Sequence, residues 1–485
     1  MIRRIAPALI LFAILSAMLI QMRDMNRAVA KERLPNIVFI IGEDLGPELG
    51  CYGDKLARTP NIDRLAREGA RFTRAFTHAP VCAPSRSGLI TGQYPTTIGT
   101  HHMRSTLLKP PPLFTDYLKK AGYVIAWPTK TTYGKTDFNF TLPEGWTDVV
   151  TDWTQDVPKR PFFGYFNVTT SHESQVRATP EQHARNITRL KPEDRQDPAK
   201  MVLPPYYPDT PEVRNDFRQY YEITTAVDYK VGDVLEALDR AGVADNTIVF
   251  FFGDHGRGMP RSKRWVYNQG VHVPLIIRWP GKIKPGSTRE DLVCFLDFAP
   301  TLLSIASAEV PKEMSGRVII GPKTQPEPKY VFAARDRMDE AYDRIRGVRE
   351  RRFHYIRNFH PDLPYSQVVL YNEENPIMQS WRRAFEDGKL NEVQKQFFAR
   401  VKPPEELYDA EADPHEINNL AISPGHQKKL KEMRAALDQW MKETNDLGAV
   451  PESELIKRGL VEDRLKEYEE RKRNGLPDRE RRQPN

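Results

Sequence analysis

A chain of 485 residues is too long for a single small hydrophobic core, so we expect two domains. With 39% hydrophobic and 10% aromatic residues, the chain has enough apolar surface to fold, which excludes wholesale disorder. Lys and Arg (72) exceed Asp and Glu (65) by seven. No basic run is interleaved with aromatic residues, so we expect no nucleic-acid partner, only a weak attraction to anions in general.

The first 30 residues have the features of a segment that directs export. A cationic start, MIRR, precedes an apolar run from Ile5 to Ile20, and AVA at 28–30 resembles a signal-peptide cleavage site. Charged residues between that run and that site also allow an uncleaved membrane anchor, although the run is short for a spanning helix. In both cases we expect the rest of the chain to be exported to the periplasm or the extracellular space, with membrane contact only if residues 1–30 stay attached.

From about residue 35, short apolar runs alternate with amphipathic stretches, which predicts an α/β fold with a mostly parallel sheet. Buried strands are predicted at NIVFII (36–41), FFGYFNV (162–168) and TIVFFF (247–252). Helices are predicted at TPNIDRLAREGARF (59–72), with Ile62, Leu65 and Ala66 on one face, and at residues 215–241.

Polar clusters follow the three predicted strands, where open α/β sheets bind their ligands. They are GEDLG (42–46), TTSHES (169–174) and GDHGRG (253–258). The adjacent pairs Glu43-Asp44 and Asp254-His255 would be costly to bury alone, and a divalent cation relieves that cost. One such pair could merely cap a helix or solvate a loop, but two pairs after strands of one sheet favour a metal site.

Past residue 330 the composition changes and predicts a smaller α+β domain. DRIRGVRERRFHYIRNF (343–359) alternates as hairpin strands do, and EDRLKEYEERKRN (462–474) is typical of a solvated helix. We therefore divide the chain into residues 1–30 (signal peptide or anchor), 31–330 (catalytic domain), 331–445 (C-terminal α+β subdomain) and 446–485 (charged helical tail).

The three cysteines, Cys51, Cys82 and Cys294, are too few and too widely spaced for a disulfide scaffold, and at most a Cys51–Cys294 bridge could form. Cys82 begins the string CAPSRSGLITG (82–92). Read alone, it is either a reactive thiol activated by a helix N-terminus and Arg86, or a small buried residue.

That string resembles the signature of the type I sulfatases, in which the cysteine is oxidised to formylglycine (3-oxoalanine) by a maturation enzyme. Other segments are similar to landmarks of the family: PNIVFIIGEDLG (35–46), GDHG (253–256), Lys263-x-x-x-Tyr267 with VPLIIRWPG (273–281), and ELYDAEADPHEINNL (406–420). The pattern is most similar to bacterial carbohydrate sulfatases related to the heparan N-sulfatase (sulfamidase) branch. The resemblance implies an alkaline-phosphatase-like α/β/α sandwich with a small C-terminal sheet.

The same resemblance implies a mechanism and a set of roles. Formylglycine hydrates to a geminal diol, of which one hydroxyl attacks sulfur and the other allows sulfate to be expelled. The implied metal ligands, for Ca²⁺ or Mg²⁺, are Glu43, Asp44, Cys82, Asp254 and His255. The implied catalytic residues are Cys82, Arg86 (holding the formylglycine hydroxyl), Lys135 and Lys263 (binding sulfate oxygens), His172 (protonating the leaving oxygen) and Asp137.

The chain departs from the family pattern at two of these positions. The first acidic position is usually aspartate and is Glu43 here, and Asp137 stands where many members carry histidine. Asp137 could accept a hydrogen bond from the diol or assist its deprotonation, but it cannot replace an imidazolium.

The expected activity is removal of sulfate from a carbohydrate, as a sulfate ester or a sulfamate. Cationic and imidazole groups outside the motif are candidate sugar contacts: His101, His102, Arg337, Arg344 and Arg346. The alternative for these arginines is a solvated hairpin face. The competing functions are a phosphonate monoester or phosphodiester hydrolase of the same superfamily, a membrane-tethered glycan-binding protein with unmodified Cys82, and an unrelated thiol enzyme.

Overall fold

A sheet of eight strands is built from strands between residues 36 and 294. The computed structural model describes residues 34–127, 136–148 and 157–475. The strands of this sheet are β1 (Asn36–Gly42), β2 (Ala70–Phe76), β3 (Val124–Ala126), β4 (Phe162–Val168), β5 (Thr247–Gly253), β6 (His272–Arg278), β7 (Ser287–Arg289) and β8 (Val293–Cys294). Their order is β3-β4-β1-β5-β6-β2-β7, with β8 beside β2. The three strands predicted from apolar runs form its buried centre.

The α-helices lie around this sheet and in the C-terminal part. They are α1 (Pro60–Glu68), α2 (Cys82–Thr91), α3 (Pro95–Ile98), α4 (Phe114–Lys120), α5 (Glu173–Val176), α6 (Pro180–Asn186), α7 (Pro211–Arg240), α8 (Asn268–Val271), α9 (Phe298–Ile305), α10 (Leu370–Glu373), α11 (Pro376–Glu386), α12 (Glu392–Lys395), α13 (Gln427–Glu443), α14 (Glu452–Lys457) and α15 (Leu465–Gly475). The long predicted helix is confirmed as α7. It begins four residues earlier than expected, because Thr210 accepts a hydrogen bond from the Val213 amide (3.3 Å) and Pro211 follows it.

One helix prediction was too long. The stretch 59–72 is helical only to Glu68, with the expected buried face, and Ala70 already belongs to β2. Gly69 joins the helix to the strand. The chain passes so close to β6 there that a Cβ would lie 2.4 Å from the carbonyl oxygen of Ile277, so only glycine fits. β6 is antiparallel to both β5 and β2, so the sheet is mostly rather than entirely parallel.

A second sheet of four antiparallel strands follows. Its strands are β9 (Val331–Arg335), β10 (Ile345–Arg349), β11 (Phe353–Asn358) and β12 (Glu405–Asp409), in the order β12-β11-β10-β9. The predicted hairpin is therefore confirmed. Leu430, Met433, Leu437 and Trp440 of α13 pack against this sheet and close a small core. The boundaries of the four predicted segments stay predictions.

The C-terminal helix α15 is less solvated than predicted, since Tyr468 is only 5% exposed. All three cysteines are free thiols, so the Cys51–Cys294 bridge does not form. Across the described ranges, no helix combines the length and the apolar character needed to cross a membrane. The predicted signal peptide or anchor lies outside the described residues.

Candidate active site

The register of the central sheet brings the three polar clusters to one edge. Gly42 at the end of β1 lies opposite Val168 of β4 on one side and Gly253 of β5 on the other. The chain therefore leaves all three strands at the same level. Glu43 and Asp44 follow β1 directly, Asp254 and His255 follow β5 directly, and His172 and Glu173 follow β4 after the turn Thr169–Ser171. The three polar clusters thus lie at one edge, as the sequence predicted.

Cys82 is the first residue of α2 and is fully buried beside this edge. Two neighbours in its signature attach the helix to the end of β5. Ser85 donates a hydrogen bond to the Asp254 carbonyl (2.7 Å), and Arg86 donates from Nε and Nη2 to the Asp254 carboxylate (3.1 and 2.8 Å). The signature thus contains residue 82 and also supplies the hydrogen bonds that fix the helix on which residue 82 lies.

Arg86 is the buried cation of the site. Its remaining donors bind Tyr165 Oη (3.2 Å) and Asn167 Oδ1 (2.8 Å), both on β4. Burial opposes the charge on the guanidinium, but the surrounding Tyr165, Asp254 and Glu43 outweigh it and keep the pKa of Arg86 well above its usual value. A fixed positive charge is therefore bound to the Asp254 carboxylate at the end of β5, and it is carried by the helix that begins with residue 82.

The five predicted metal ligands fall into two groups of donor atoms. Those of Glu43 and Cys82 lie within 4.8 Å of each other and of Asp137, which was predicted as a catalytic residue and not as a ligand; those of Asp44, Asp254 and His255 lie within 4.8 Å of one another. Glu43 and Asp44 are fully buried and Asp254 nearly so. Buried carboxylate oxygens grouped in this way at the ends of β1 and β5 are a donor set that suits a hard divalent cation, so these residues fit the predicted metal.

Asp44 is held in a strained conformation at the centre of the site. Its φ of 55° is rare for a residue with a side chain, and its amide donates to Asp254 Oδ1 (2.8 Å). Lys263 Nζ contacts both carboxylate oxygens (2.8 and 3.0 Å), and His255 Nε2 is 3.0 Å from one of them. Burial opposes ionisation of Asp44, but Lys263 and His255 outweigh it and hold the pKa of Asp44 well below its usual value.

Glu173 is a member of the site that sequence reasoning missed. Its carboxylate accepts two hydrogen bonds from Arg264 (2.8 Å each) and lies 2.9 Å from Lys263 Nζ. Burial opposes its charge, but Arg264 and Lys263 outweigh it and lower the pKa of Glu173 to about 2. Lys263 is thus shared between Glu173 and Asp44. The only signal in the sequence was that Glu173 follows His172.

His172 lies at the rim of this network and is half-buried. A nitrogen of its ring and oxygens of Asp44 and Glu173 lie within 4.8 Å of one another. Its Nδ1 is 2.8 Å from Ser174 Oγ and accepts from the Ser174 amide (3.3 Å). The ring is therefore oriented through Nδ1.

Two predicted catalytic residues belong to a segment that is described only in part. Lys135 lies outside the described residues. Asp137 is described; its Oδ1 accepts a hydrogen bond from Arg104 Nη1 at 2.5 Å, and its φ is 51°. Arg104 was not a predicted site residue.

The predicted sugar contacts are mostly enclosed. His101 and His102 are buried with their rings 4.3 Å apart, and burial lowers the pKa of both, so they are neutral at pH 7. Arg337 binds Glu452 through two hydrogen bonds of 2.7 Å.

The other two predicted arginines, Arg344 and Arg346, converge on Asp446. Arg346 is fully buried and binds Asp446 (2.7 and 2.9 Å) and Asp336 (3.0 Å), while Arg344 contacts Asp446 at 3.3 Å. The solvated alternative is therefore wrong for Arg346. A role of these arginines as sugar contacts stays a prediction, and their engagement with carboxylates speaks against it.

Comparison with known proteins matches residues 35–308 to the sulfatase family and residues 253–403 to the C-terminal domain of N-sulphoglucosamine sulphohydrolase. An ulvan-active sulfatase of Formosa agariphila is 38% identical over 471 residues, which cover 87% of this chain and 77% of that protein. The human N-sulphoglucosamine sulphohydrolase is 27% identical, with 86% and 92% of the two chains covered.

Two solved structures show the likeness of the fold. A protein in complex with its substrate D-glucosamine-2-N,6-O-disulfate superposes with a TM-score of 0.60 at 21% identity, covering 85% of this chain and 99% of that one. A phosphonate monoester hydrolase from Silicibacter pomeroyi does so with 0.58 at 18% identity, covering 86% and 97%. The predicted alkaline-phosphatase-like architecture with a smaller C-terminal sheet is confirmed. At these identities the likeness concerns the fold alone.

Proposed function

The chain belongs to the sulfatase family, and on that premise we propose that it removes sulfate from a carbohydrate with a formylglycine at position 82 and a divalent cation. The observation that carries the proposal is the position of Cys82. It begins a helix whose next turn binds Asp254, and its Sγ lies within 4.8 Å of carboxylate oxygens of Glu43 and Asp137. A cysteine in such a site is placed for chemistry, since packing alone needs no buried carboxylates around it.

Glu43, Asp44, Asp254 and His255 would hold the cation, Ca²⁺ or Mg²⁺, which when bound withdraws negative charge from sulfate oxygens. A formylglycine at position 82 supplies, as its hydrate, one hydroxyl that attacks sulfur and a second through which sulfate is released. Arg86 is proposed to hold the hydroxyl at that position, and its positive charge would make that hydroxyl lose its proton more easily.

The remaining roles belong to the groups around Lys263. Lys263 Nζ, held by Asp44 and Glu173, binds a sulfate oxygen as a point charge, and Lys135 is proposed to bind another. His172, in its protonated form, delivers the Nε2 proton to the leaving oxygen or nitrogen and becomes neutral; Nδ1 lies 2.8 Å from Ser174 Oγ and is engaged there. Asp137 replaces a histidine of the family and is proposed to accept a hydrogen bond from the hydroxyl at position 82.

The substrate that we propose is a sulfated saccharide, including N-sulfated glucosamine. The relatives support this class, since one is named an ulvan-active sulfatase and another an N-sulphoglucosamine sulphohydrolase. We also propose export to the periplasm or the extracellular space, with a formylglycine-generating enzyme as the maturation partner.

Kinetics on two ester classes test the proposal. Purified protein should turn over sulfated saccharides with a kcat/KM far above that for matched phosphonate monoesters and phosphodiesters. Cys82→Ala should fold and lose at least about 100-fold in kcat, since an enzyme without its nucleophile loses more than that. Preference for the phosphorus esters would support the hydrolase alternative, and saccharide binding without turnover by any preparation would support the glycan-binding one.

A further inference from the structure

One arginine near Cys82 keeps part of its guanidinium available. Arg104 follows the buried His101–His102 pair, and Nη1 donates to Asp137 at 2.5 Å. Among the described residues this is the single hydrogen bond of that guanidinium, and 40% of the side chain is exposed. By contrast, both terminal nitrogens of Arg264 bind Glu173, and Arg86 is fully buried.

The Asp137 carboxylate connects Arg104 to the nucleophile position. The Asp137 carboxylate that it binds belongs to the group with Glu43 and Cys82, whose donor atoms lie within 4.8 Å of one another. A sugar whose sulfate reaches residue 82 therefore brings its neighbouring substituents close to Arg104. Guanidinium has donors only, so it selects oxygen acceptors, and it binds anionic ones best.

The C-terminal segment (residues 452–475) fixes the backbone of this arginine. The carbonyl oxygen of Arg104 accepts hydrogen bonds from Tyr468 Oη (2.7 Å) and Arg464 Nη1 (3.0 Å). Arg104 has a φ of 66°, which is unfavourable for a residue with a side chain and persists only when the surroundings impose it.

The same segment also holds the residues on both sides of this turn. Glu462 donates from its amide to the Thr106 carbonyl (2.9 Å), and the Leu108 amide donates to the Leu460 carbonyl (3.0 Å). The Arg471 side chain lies 3.3 Å from the buried Glu340 carboxylate. Glu340 belongs to the turn between Met338 and Ala341, and Met338 is in the same apolar cluster as Cys82. The segment therefore holds two loops that flank position 82.

We propose that Arg104, positioned by the C-terminal segment, binds a second anionic group of the saccharide, a carboxylate or another sulfate, next to the sulfate that is removed. This inference rests on the proposed function and assigns its charge selectivity to one side chain. The anion preference expected from Arg337, Arg344 and Arg346 then comes from Arg104.

The test compares kcat/KM on three probes: N-sulfoglucosamine, glucosamine-2-N,6-O-disulfate, and N-sulfoglucosamine linked to a uronic acid. The measured quantity is kcat/KM on each doubly anionic probe divided by kcat/KM on the singly sulfated probe. Arg104→Met should lower at least one ratio by about 10-fold or more, the effect of a lost charge-assisted hydrogen bond. The ratio for Arg104→Lys should lie between those of wild type and Arg104→Met, because lysine keeps the charge but loses the planar guanidinium. The probe whose ratio falls identifies the anion as sulfate or carboxylate.

Arg458→Met is the matched control, since Arg458 at the end of α14 is exposed and, among the described residues, its side chain pairs with Glu454 of that helix (3.0 Å); its ratios should equal those of wild type. Folded Arg104→Met with unchanged ratios would overturn the inference, as would an equal loss on all three probes. If Arg104→Met does not fold, Tyr468→Phe decides: it keeps the guanidinium, removes one hydrogen bond from the Arg104 carbonyl and should lower the ratio about threefold, whereas wild-type ratios overturn the inference. Wild-type protein inactive on all three probes would instead count against the proposed function.

Discussion

The substitution Asp446→Asn tests whether the buried arginines of the second sheet serve structure. Asp446 is 2% exposed at its side chain and binds the fully buried Arg346 through two hydrogen bonds of 2.7 and 2.9 Å. Asparagine has the same shape but no charge, so the Arg346 guanidinium loses one of the two carboxylates that it binds and keeps only Asp336. Breaking a buried pair in this way costs about 3–5 kcal/mol.

That cost converts to a measurable change in melting temperature. Unfolding entropy is about 2 cal/mol/K per residue, which gives about 1 kcal/mol/K for this chain. The Tm of Asp446→Asn should therefore fall by about 3–5 °C in calorimetry at pH 7. Asp438→Asn is the control, because Asp438 is 55% exposed and pairs with Arg357 at the surface; its Tm should change by less than about 1 °C.

The pH dependence of the difference follows from the pKa of Asp446. Burial opposes its charge, but Arg346 outweighs this and holds the pKa below its ordinary value of 3.8. A lowered pKa adds stability that is fully present above the unfolded value and is lost as pH falls below it. The Tm gap between wild type and Asp446→Asn should thus be constant from pH 7 to 5 and narrow below about pH 4. A Tm equal to that of the control, or lost selectivity among saccharides without lost stability, would refute the structural role.

Three further predictions concern the active site. Exhaustive chelation should remove activity and lower the Tm, because a cation held by Asp44 and Asp254 binds only the folded state; unchanged values for both would exclude the metal role. Glu173→Gln should raise KM for sulfated substrates more than it lowers kcat, since Lys263 then keeps only Asp44 as a carboxylate partner. Steady-state kinetics with an unchanged KM would count against the sharing of Lys263 between Glu173 and Asp44. Small aryl sulfates should have a lower kcat/KM than sulfated oligosaccharides, and the reverse order would contradict recognition of the sugar.

The three central strands of the first sheet could be predicted because their signals are local. Apolar runs mark β1, β4 and β5, and each is followed by charged residues that are costly to bury except at a ligand site. Parallel register then brings those residues together. The error at residues 59–72 was also local: Gly69 ends the helix, and the alternation in ARFTRAF (70–76) already indicated a strand.

The rest of the site depends on contacts between distant parts of the chain. Arg104 meets Arg464 and Tyr468 across about 360 residues, and Arg337 meets Glu452 across 115. No periodicity or motif marks such pairs, so a charged tail was predicted where the structure has a segment packed beside the active site. Glu173 had a local neighbour in His172, but its partner Arg264 is 91 positions away.

Peptide mass spectrometry across residues 75–100 of protein that hydrolyses a sulfated saccharide tests the central claim most directly. We predict that Cys82 is converted to formylglycine, which replaces its sulfur by oxygen with the loss of two hydrogens, and that the converted fraction tracks specific activity between preparations. An active preparation in which residue 82 is entirely unmodified cysteine would contradict the account.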